Sequence, residues 1–498
     1  MLETVLMVLI VFLIYWTIVK ILDNRGLLSK YNISSIGPIL MIRTSRGLKF
    51  LDKLAKYKAV WRTVANLGIP LVFLSMGFMF SLVLLSDYIM FTNPPKASAL
   101  TNLRNVILLP GVNEFIPVLW GLLGLVVTLI VHEFSHAILC RVENVRVKSL
   151  GVLLALIPIG GFAEPDENEL KNKIKRIQRV RIFAAGVVSN FIVAAIAFPV
   201  FFYLLGFVSP AVVVIDSDVK EIARGSIVLE VNGFSVRDQA DVYKAIGSSK
   251  NVTLKIREKN GEVKFVEIPN LMGVRVVDLY REDSKVYPAE IAGIKRGMVI
   301  VKIDNKAVRN FTEFRKIMSN TKPGQNVTVM VYYNGTFRTF NVTLADMNGR
   351  GFLGVYVQST DYIGGLSLAY SSYILNELKS IPRTLSSLYG WLYMIAMPFR
   401  FQGFVGEIKN YFEAPEHVFI LLNAFYWIAW LNFYVGLFNC LPAIPLDGGR
   451  IFQESFSYIL SKRYRERADE ISMKVVKFLA VVVFSSFLLS IIIPNMRG

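Results

Sequence analysis

Six residues of this chain, Val131-His132-Glu133-Phe134-Ser135-His136, set two imidazoles and a carboxylate inside an apolar run from Phe115 to Cys140. A charged side chain at mid-membrane costs roughly 2.5–3.5 kcal/mol on insertion scales, so a fold that keeps one there must use it. Histidines four apart on a helix project from one face. Both can ligate one Zn²⁺, while the Glu between them can take a proton from water on the metal. The chain has three His in all. For that composition a His-carboxylate-x-x-His match is expected on the order of once in a thousand chains. The plain alternative is a pair of histidines satisfied by helix packing; the apolar location argues against it.

Over 498 residues the chain is 54% hydrophobic, with mean hydropathy +0.48, as in polytopic membrane proteins. Six segments reach the length of about 20 apolar residues that a span needs: 4–22, 67–91, 115–140, 182–208, 418–440 and 475–493. The net charge of +18 collects in three loops, 23–66, 141–181 and 449–474. This is the positive-inside pattern rather than a nucleic-acid footprint, so no nucleic-acid partner is expected. The three loops alternate to lie on the cytoplasmic side. Both termini, the loop 92–114 and the region 209–416 are then expected outside. Met1 to Lys20 lacks a basic n-region and a small-residue cleavage site, and reads as an anchor rather than a cleaved signal. Cys140 and Cys440 both lie in apolar segments, so disulfides are expected to play no part.

Region 209–360 changes character. Asn251-Val-Thr-Leu-Lys-Ile, Val327-Thr-Val-Met-Val-Tyr-Tyr and Phe337-Arg-Thr-Phe-Asn-Val-Thr-Leu are strand-like, and Asn334-Gly335 between the last two is a hairpin turn signal. The region echoes itself. Gly225 to Gly233 precedes a helical stretch, Asp238 to Ile246, and Gly297 to Asn305 precedes another, Phe311 to Met318. This order resembles the PDZ family, in two tandem copies, 209–272 and 273–358. Asn-x-Ser/Thr sequons at Asn251, Asn310, Asn326, Asn334 and Asn341 suit an external domain. Leu366 to Met397 is apolar but interrupted by Asn376, Glu377, Lys379, Pro382 and Arg383, and reads as interfacial or re-entrant amphipathic segments. The expected fold is an α-helical polytopic membrane protein of about six transmembrane helices with an inserted β-rich PDZ-like extramembrane region. Its divisions are 1–114, 115–208, 209–360, 361–416 and 417–498.

A catalytic zinc takes three protein ligands and leaves one position open. A search for an acid in an apolar context leads to Asp447, within Asn439-Cys-Leu-Pro-Ala-Ile-Pro-Leu-Asp-Gly448. Two prolines prevent a regular helix there, and broken backbone at membrane depth is tolerated where it meets protein or a water-filled cavity. An ordinary Asp-Gly loop turn is the alternative.

The His132 to His136 motif, followed by Asn-x-x-Pro-x-x-Pro-Leu-Asp-Gly, resembles the site-2 protease family of intramembrane zinc metalloproteases. Gly160-Gly161-Phe162 after the apolar run 150–159 is similar to the family's re-entrant β segment. Ala185-Gly186-Val-Val-Ser-Asn190 is similar to its Gly-x-x-x-Asn helix start, with Val187 where a Pro is usual.

The resemblance implies a zinc metalloendopeptidase that holds Zn²⁺ through His132, His136 and Asp447 and uses Glu133 as general base. Asn190 and Asn439 are implied to bind the substrate backbone or the oxyanion. The implied partners are the lipid bilayer and membrane-protein substrates with a single transmembrane helix. The PDZ-like region would filter them by size or by a newly exposed peptide C-terminus. It would lie outside, with the His132–His136 and Asp447 motifs near the cytoplasmic side. A catalytically silent scaffold or chaperone, a metal transporter and a lipid hydrolase are the competing readings.

Overall fold

The computed structural model describes the backbone of residues 2–45, 48–106, 110–155, 157–282 and 285–496. The chain divides into two compact units. One comprises Met1–Leu204, Leu385–Val405 and Phe419–Gly498; the other, Leu205–Thr384 and Gly406–Val418.

The first unit is mainly helical. It opens with α1 (Leu2–Asn24), strands β1 (Ile33–Ile36) and β2 (Ile39–Thr44), α2 (Leu48–Ala55), α3 (Lys58–Thr92) and α4 (Val118–Val142). Strands β3 (Val147–Ala155) and β4 (Ile157–Pro165) and helix α5 (Arg176–Leu204) follow. After the second unit come α6 (Glu416–Asn439), α7 (Asp447–Tyr464) and α8 (Ala468–Met496). Among the described residues, α3, α4, α5, α6 and α8 are long and apolar enough to cross a membrane. A helix satisfies its own backbone hydrogen bonds, which is what hydrocarbon demands. The first expected span, 4–22, coincides with α1, whose side chains at 1–9 and 11 lie outside the described residues.

The helices overrun the apolar segments. The span expected at 67–91 begins at Lys58, and the one expected at 182–208 begins at Arg176. At 35 residues α3 is about 52 Å long against about 30 Å of hydrocarbon. Hydropathy marks the lipid-facing length, while Lys and Arg, good helix formers, carry the helix on into the headgroup zone.

The basic stretch 23–66 is not a bare loop. Its Ile33-Ser-Ser-Ile36 and Ile39 to Thr44 pair across the turn at Gly37, and β2 joins β3, giving the sheet order β1-β2-β3-β4. Helix α2 then buries Leu51 and Ala55 against the α3–α4–α5 core and leaves Lys49 and Lys53 exposed.

One carboxylate ties three of these helices together. Glu143, just past α4, has no exposed side-chain surface and accepts from Arg62 of α3 at 2.9 and 3.0 Å. Gln178 and Arg181 of α5 donate to it at 2.6 and 3.1 Å. Burial would raise its pKa, but these donors outweigh that and hold it below the usual carboxylate range. The lowered value means this contribution is present above the unfolded-state pKa and is lost as pH falls through the folded one. Glu143→Ala removes the shared acceptor of Arg62, Gln178 and Arg181 and is expected to cost about 1–3 kcal/mol, read as lowered unfolding temperature of the detergent-solubilised chain. Farther along, Arg179 of α5 grips Glu454 of α7 through two bonds of 2.7 and 2.8 Å, fastening the first membrane half to the last.

The second unit is β-rich. Its principal sheet runs, in spatial order, through strands Val263–Pro269, Asn251–Arg257, Ile227–Val231, Val212–Ser217 and Leu366–Tyr370. It continues through Asp361–Ile363, Met272–Leu279, Val299–Ile303, Asn326–Tyr333 and Thr336–Thr343. Two separate cores pack on it, one around Val228, Ile246, Leu254 and Leu366, the other around Val274, Ile300, Val329 and Val331. Each has an eight-residue helix, Gln239–Ile246 capped by Asp238 and Phe311–Met318 capped by Asn310, and the second adds the single turn Pro288–Ile291. The internal echo is thus two like-ordered modules. At the expected hairpin, Asn334 and Gly335 both take positive φ, which the two-residue turn between Tyr333 and Thr336 requires.

Residues 361–370, grouped in the sequence reading with the amphipathic segment, are strands of this sheet. Leu366 to Tyr370 pairs with Val212 to Ser217, and its Leu366 and Leu368 are core residues. An apolar run of this length does not distinguish a buried strand from an interfacial helix. The helices beyond it, Ser372–Thr384 and Leu388–Ala396, have 13 and 9 residues, too few to span.

Candidate metal centre

His132 and His136 lie one turn apart on α4, and Asp447 is the first residue of α7. Their ligand atoms converge. His132 Nε2 and His136 Nε2 are 3.1 Å apart, and Asp447 Oδ2 lies 3.1 Å from the first and 3.2 Å from the second. Ligands about 2.05 Å from a tetrahedral ion stand about 3.3 Å apart, so the spacing fits Zn²⁺. His136 Nδ1 is 2.7 Å from the Ile182 carbonyl oxygen, which can only accept. Nδ1 therefore carries the proton, and the Nε2 lone pair faces the convergence point.

Asp447 is held by the turn before it. Ala443, Leu446 and Gly449 bond within that turn, which includes the cis Ile444–Pro445 peptide. The two glycines after Asp447 let α7 start against this backbone. A Cβ at Gly449 would meet Ala443 and Ile444 backbone at 2.6–2.8 Å, and one at Gly448 would strike the Cys440 and Leu441 carbonyls. Asp-Gly here begins a helix instead of closing a simple turn.

The expected helix start around Gly186 lies inside α5, ten residues after its first, Arg176. Gly186 is the floor beneath both imidazoles. A Cβ there would sit 2.6 and 2.7 Å from His132 Cε1 and Nε2, and would also strike His136 Nε2. Gly186→Val is expected to expel one or both imidazoles, reducing bound zinc below half an equivalent by metal analysis, while Gly206→Ala, facing open space, retains it.

Asn190, one turn later, is fully buried. Its amide nitrogen lies 3.1 Å from His132 Nδ1, and its Oδ1 has no partner among the described residues. Glu133 stands apart from the three converging atoms. Its Oε2 accepts from the Ala163 backbone N–H at 2.9 Å, and a Cβ at Gly161 would be 2.8 Å from its Cγ. Strand β4, one of the two edge strands of the sheet, thus runs beside Glu133. Asn439 ends α6, half-buried, at the far end of the turn that leads to Asp447. The sequence reading missed the Ala163 contact, because nothing in the residue type marks a backbone donor.

A family model described as Peptidase family M50 matches residues 120–483, spanning both the histidine helix and Asp447. The chain belongs to this family. It is similar to an uncharacterized protein of Methanocaldococcus jannaschii, 30% identical over 52% of this chain and 69% of that one. It is also similar to the regulator of sigma E protease of Salmonella typhi, 22% identical over 74% of this chain and 97% of that protein. The zinc metalloprotease RasP of Shouchella clausii is 27% identical over 35% of this chain and 42% of its own length. Peptidase family M50 membership and these relatives make the chain a zinc metalloendopeptidase of the site-2 protease kind, integral to the membrane and acting on membrane-protein substrates. The donor set of two imidazoles and one carboxylate suits zinc, with its preference for N and O ligands in a catalytic site.

Proposed function

We propose that this chain hydrolyses peptide bonds within or near the transmembrane segment of single-span substrates, with zinc held by His132, His136 and Asp447. The observation that carries the reading is the convergence of those three donor atoms, within 4.8 Å of one another, beside Glu133. Zinc, when bound, lowers the pKa of a water towards about 7. Glu133 accepts the proton of the attacking water and returns it to the leaving amine. Cleavage of reconstituted single-span proteins, with the cut mapped by mass spectrometry, tests this; cuts confined to soluble tails would overturn it.

Asn190 orients His132. A metal at Nε2 requires the proton on Nδ1, and a 180° flip of the Asn190 carboxamide, exchanging the nitrogen now 3.1 Å from Nδ1 for the unpartnered Oδ1, lets it accept that proton. Asn190→Leu is expected to lower zinc affinity about 10–100-fold, as loss of such outer partners does. Zinc competition with a chelator measures it. Asn190→Asp, which keeps an acceptor, should restore most of the affinity. Asn439 is the nearer of the two amides to the turn bearing Asp447 and is assigned to the substrate backbone or oxyanion.

A helical substrate must be locally unwound before attack, since its backbone groups are otherwise paired. The unwound segment adds to the free edge of β4, whose Ala163 N–H already meets Glu133. Substrates with backbone N-methylation at alternate residues around the scissile bond should be cut at least tenfold more slowly. Equal rates would remove strand addition from the account. The basic loops are assigned to the cytoplasmic side and the two PDZ-like modules to the other. There the modules filter substrates by size or by a newly exposed C-terminus.

A further inference from the structure

At the membrane ends of α3 and α4 lies a cavity of about 500 Å³ that the proteolytic chemistry does not use. Five cations line it, Lys56, Lys58, Arg141, Arg146 and Lys173, against two carboxylates, Asp52 and Glu169. Both carboxylates are committed. Asp52 pairs with Arg141 Nε at 3.2 Å. Glu169 pairs with Lys173 at 3.1 Å and takes the Arg146 backbone N–H at 2.7 Å. Among the described residues no carboxylate pairs with the side chains of Lys56, Lys58 or Arg146; Lys58 meets the neutral Asn144 Oδ1 at 3.1 Å. Three uncompensated positive charges around one cavity repel one another, and an anion seated among them would relieve that repulsion.

The depth of the cavity selects the kind of anion. Lys58 is the first residue of α3, ahead of its apolar segment, and Arg141 lies in the last turn of α4, so the charges stand in the headgroup zone. Apolar side chains flank them on the same stretch of chain. Phe50, Tyr57 and Val60 are 53%, 66% and 59% exposed. A phospholipid uses both features, its phosphoryl group on the cations and its acyl chains along the apolar flank. A free phosphate uses the cations alone.

We infer that this cavity is a binding site for the phosphoryl headgroup of an anionic membrane lipid. Occupancy braces the end of α4, because Arg141 and Asn144 follow His136 on the same stretch. The inference rests on the membrane helices alone, so its failure leaves the zinc site untouched.

The test is native mass spectrometry of the full zinc-loaded chain in detergent, titrated with phosphatidylglycerol or phosphatidylcholine of matched acyl chains. Wild type should hold one phosphatidylglycerol at least tenfold more tightly than phosphatidylcholine. In Lys56→Gln/Lys58→Gln/Arg146→Gln the preference should vanish with zinc content unchanged, and in Lys56→Arg/Lys58→Arg/Arg146→Lys it should persist. Should the triple Gln variant not fold, single Lys56→Gln and Arg146→Gln should each weaken phosphatidylglycerol about fivefold, near the worth of one cation at a membrane surface. An unchanged preference in the Gln variants overturns the inference. So does inorganic phosphate displacing the lipid at equal concentration, which would mark a site for the free anion.

Discussion

Glu133→Gln leaves the chain loaded with zinc at wild-type stoichiometry while cleavage falls by about 10²–10⁴-fold, the usual worth of a positioned general base. Both halves of this expectation follow from where Glu133 stands. The three converging ligand atoms that could hold a metal come from His132, His136 and Asp447, and Glu133 supplies none of them. Its Oε2 is engaged by the Ala163 N–H at 2.9 Å. Gln has the same shape and keeps a carbonyl oxygen for that bond, so β4 stays in place. What it loses is the ability to take a proton. Metal analysis beside a cleavage assay reads the two quantities separately. Wild-type cleavage would remove Glu133 as base, and lost zinc would make it a ligand.

Asp447→Ala has the opposite signature: zinc and activity disappear together. Asp447 Oδ2 touches both imidazole Nε2 atoms, at 3.1 and 3.2 Å, and its carboxylate is the one anion in the donor set. Without it, two neutral imidazoles face a divalent cation in apolar surroundings. The affinity loss should exceed the 10–100-fold typical of outer-sphere changes such as Asn190→Leu. Equilibrium dialysis against a zinc buffer measures it, and Asp52→Ala, an exposed acid of the same unit, serves as control. Retention of zinc at wild-type affinity by Asp447→Ala would place the third ligand elsewhere.

The parts of this molecule that announce themselves in sequence are those where chemistry and location conflict. His132, Glu133 and His136 stood out because polar groups are expensive in an apolar run, and Asp447 because a Pro-broken stretch bounds it. The α4 and α6 spans were legible within three residues at each end. The overrun of α3 and α5 was not, because helix continuation into the headgroup zone depends on contacts such as Arg62 and Arg181 with Glu143.

Strands fared worst. β1 and β2 were hidden by the surrounding basic charge, and Leu366 to Tyr370 by its resemblance to an apolar helix. Both are fixed by partners far away in the chain, β3 and Val212 to Ser217. Gly186 was visible only as a motif letter. Its reason, the space under two imidazoles, exists only once α5 crosses α4.

The claim at the centre of this account is that the zinc site is a joint between α4 and the start of α7, more than 300 residues later. X-ray absorption at the zinc edge of the loaded full chain tests it most directly. The account predicts nitrogen and oxygen scatterers at about 2.0–2.1 Å, the multiple-scattering pattern of two imidazoles, and a nearest shell lost or rebuilt in Asp447→Ala. A sulfur shell at about 2.3 Å, which would implicate Cys140 or Cys440, or a spectrum unchanged by Asp447→Ala, would contradict it.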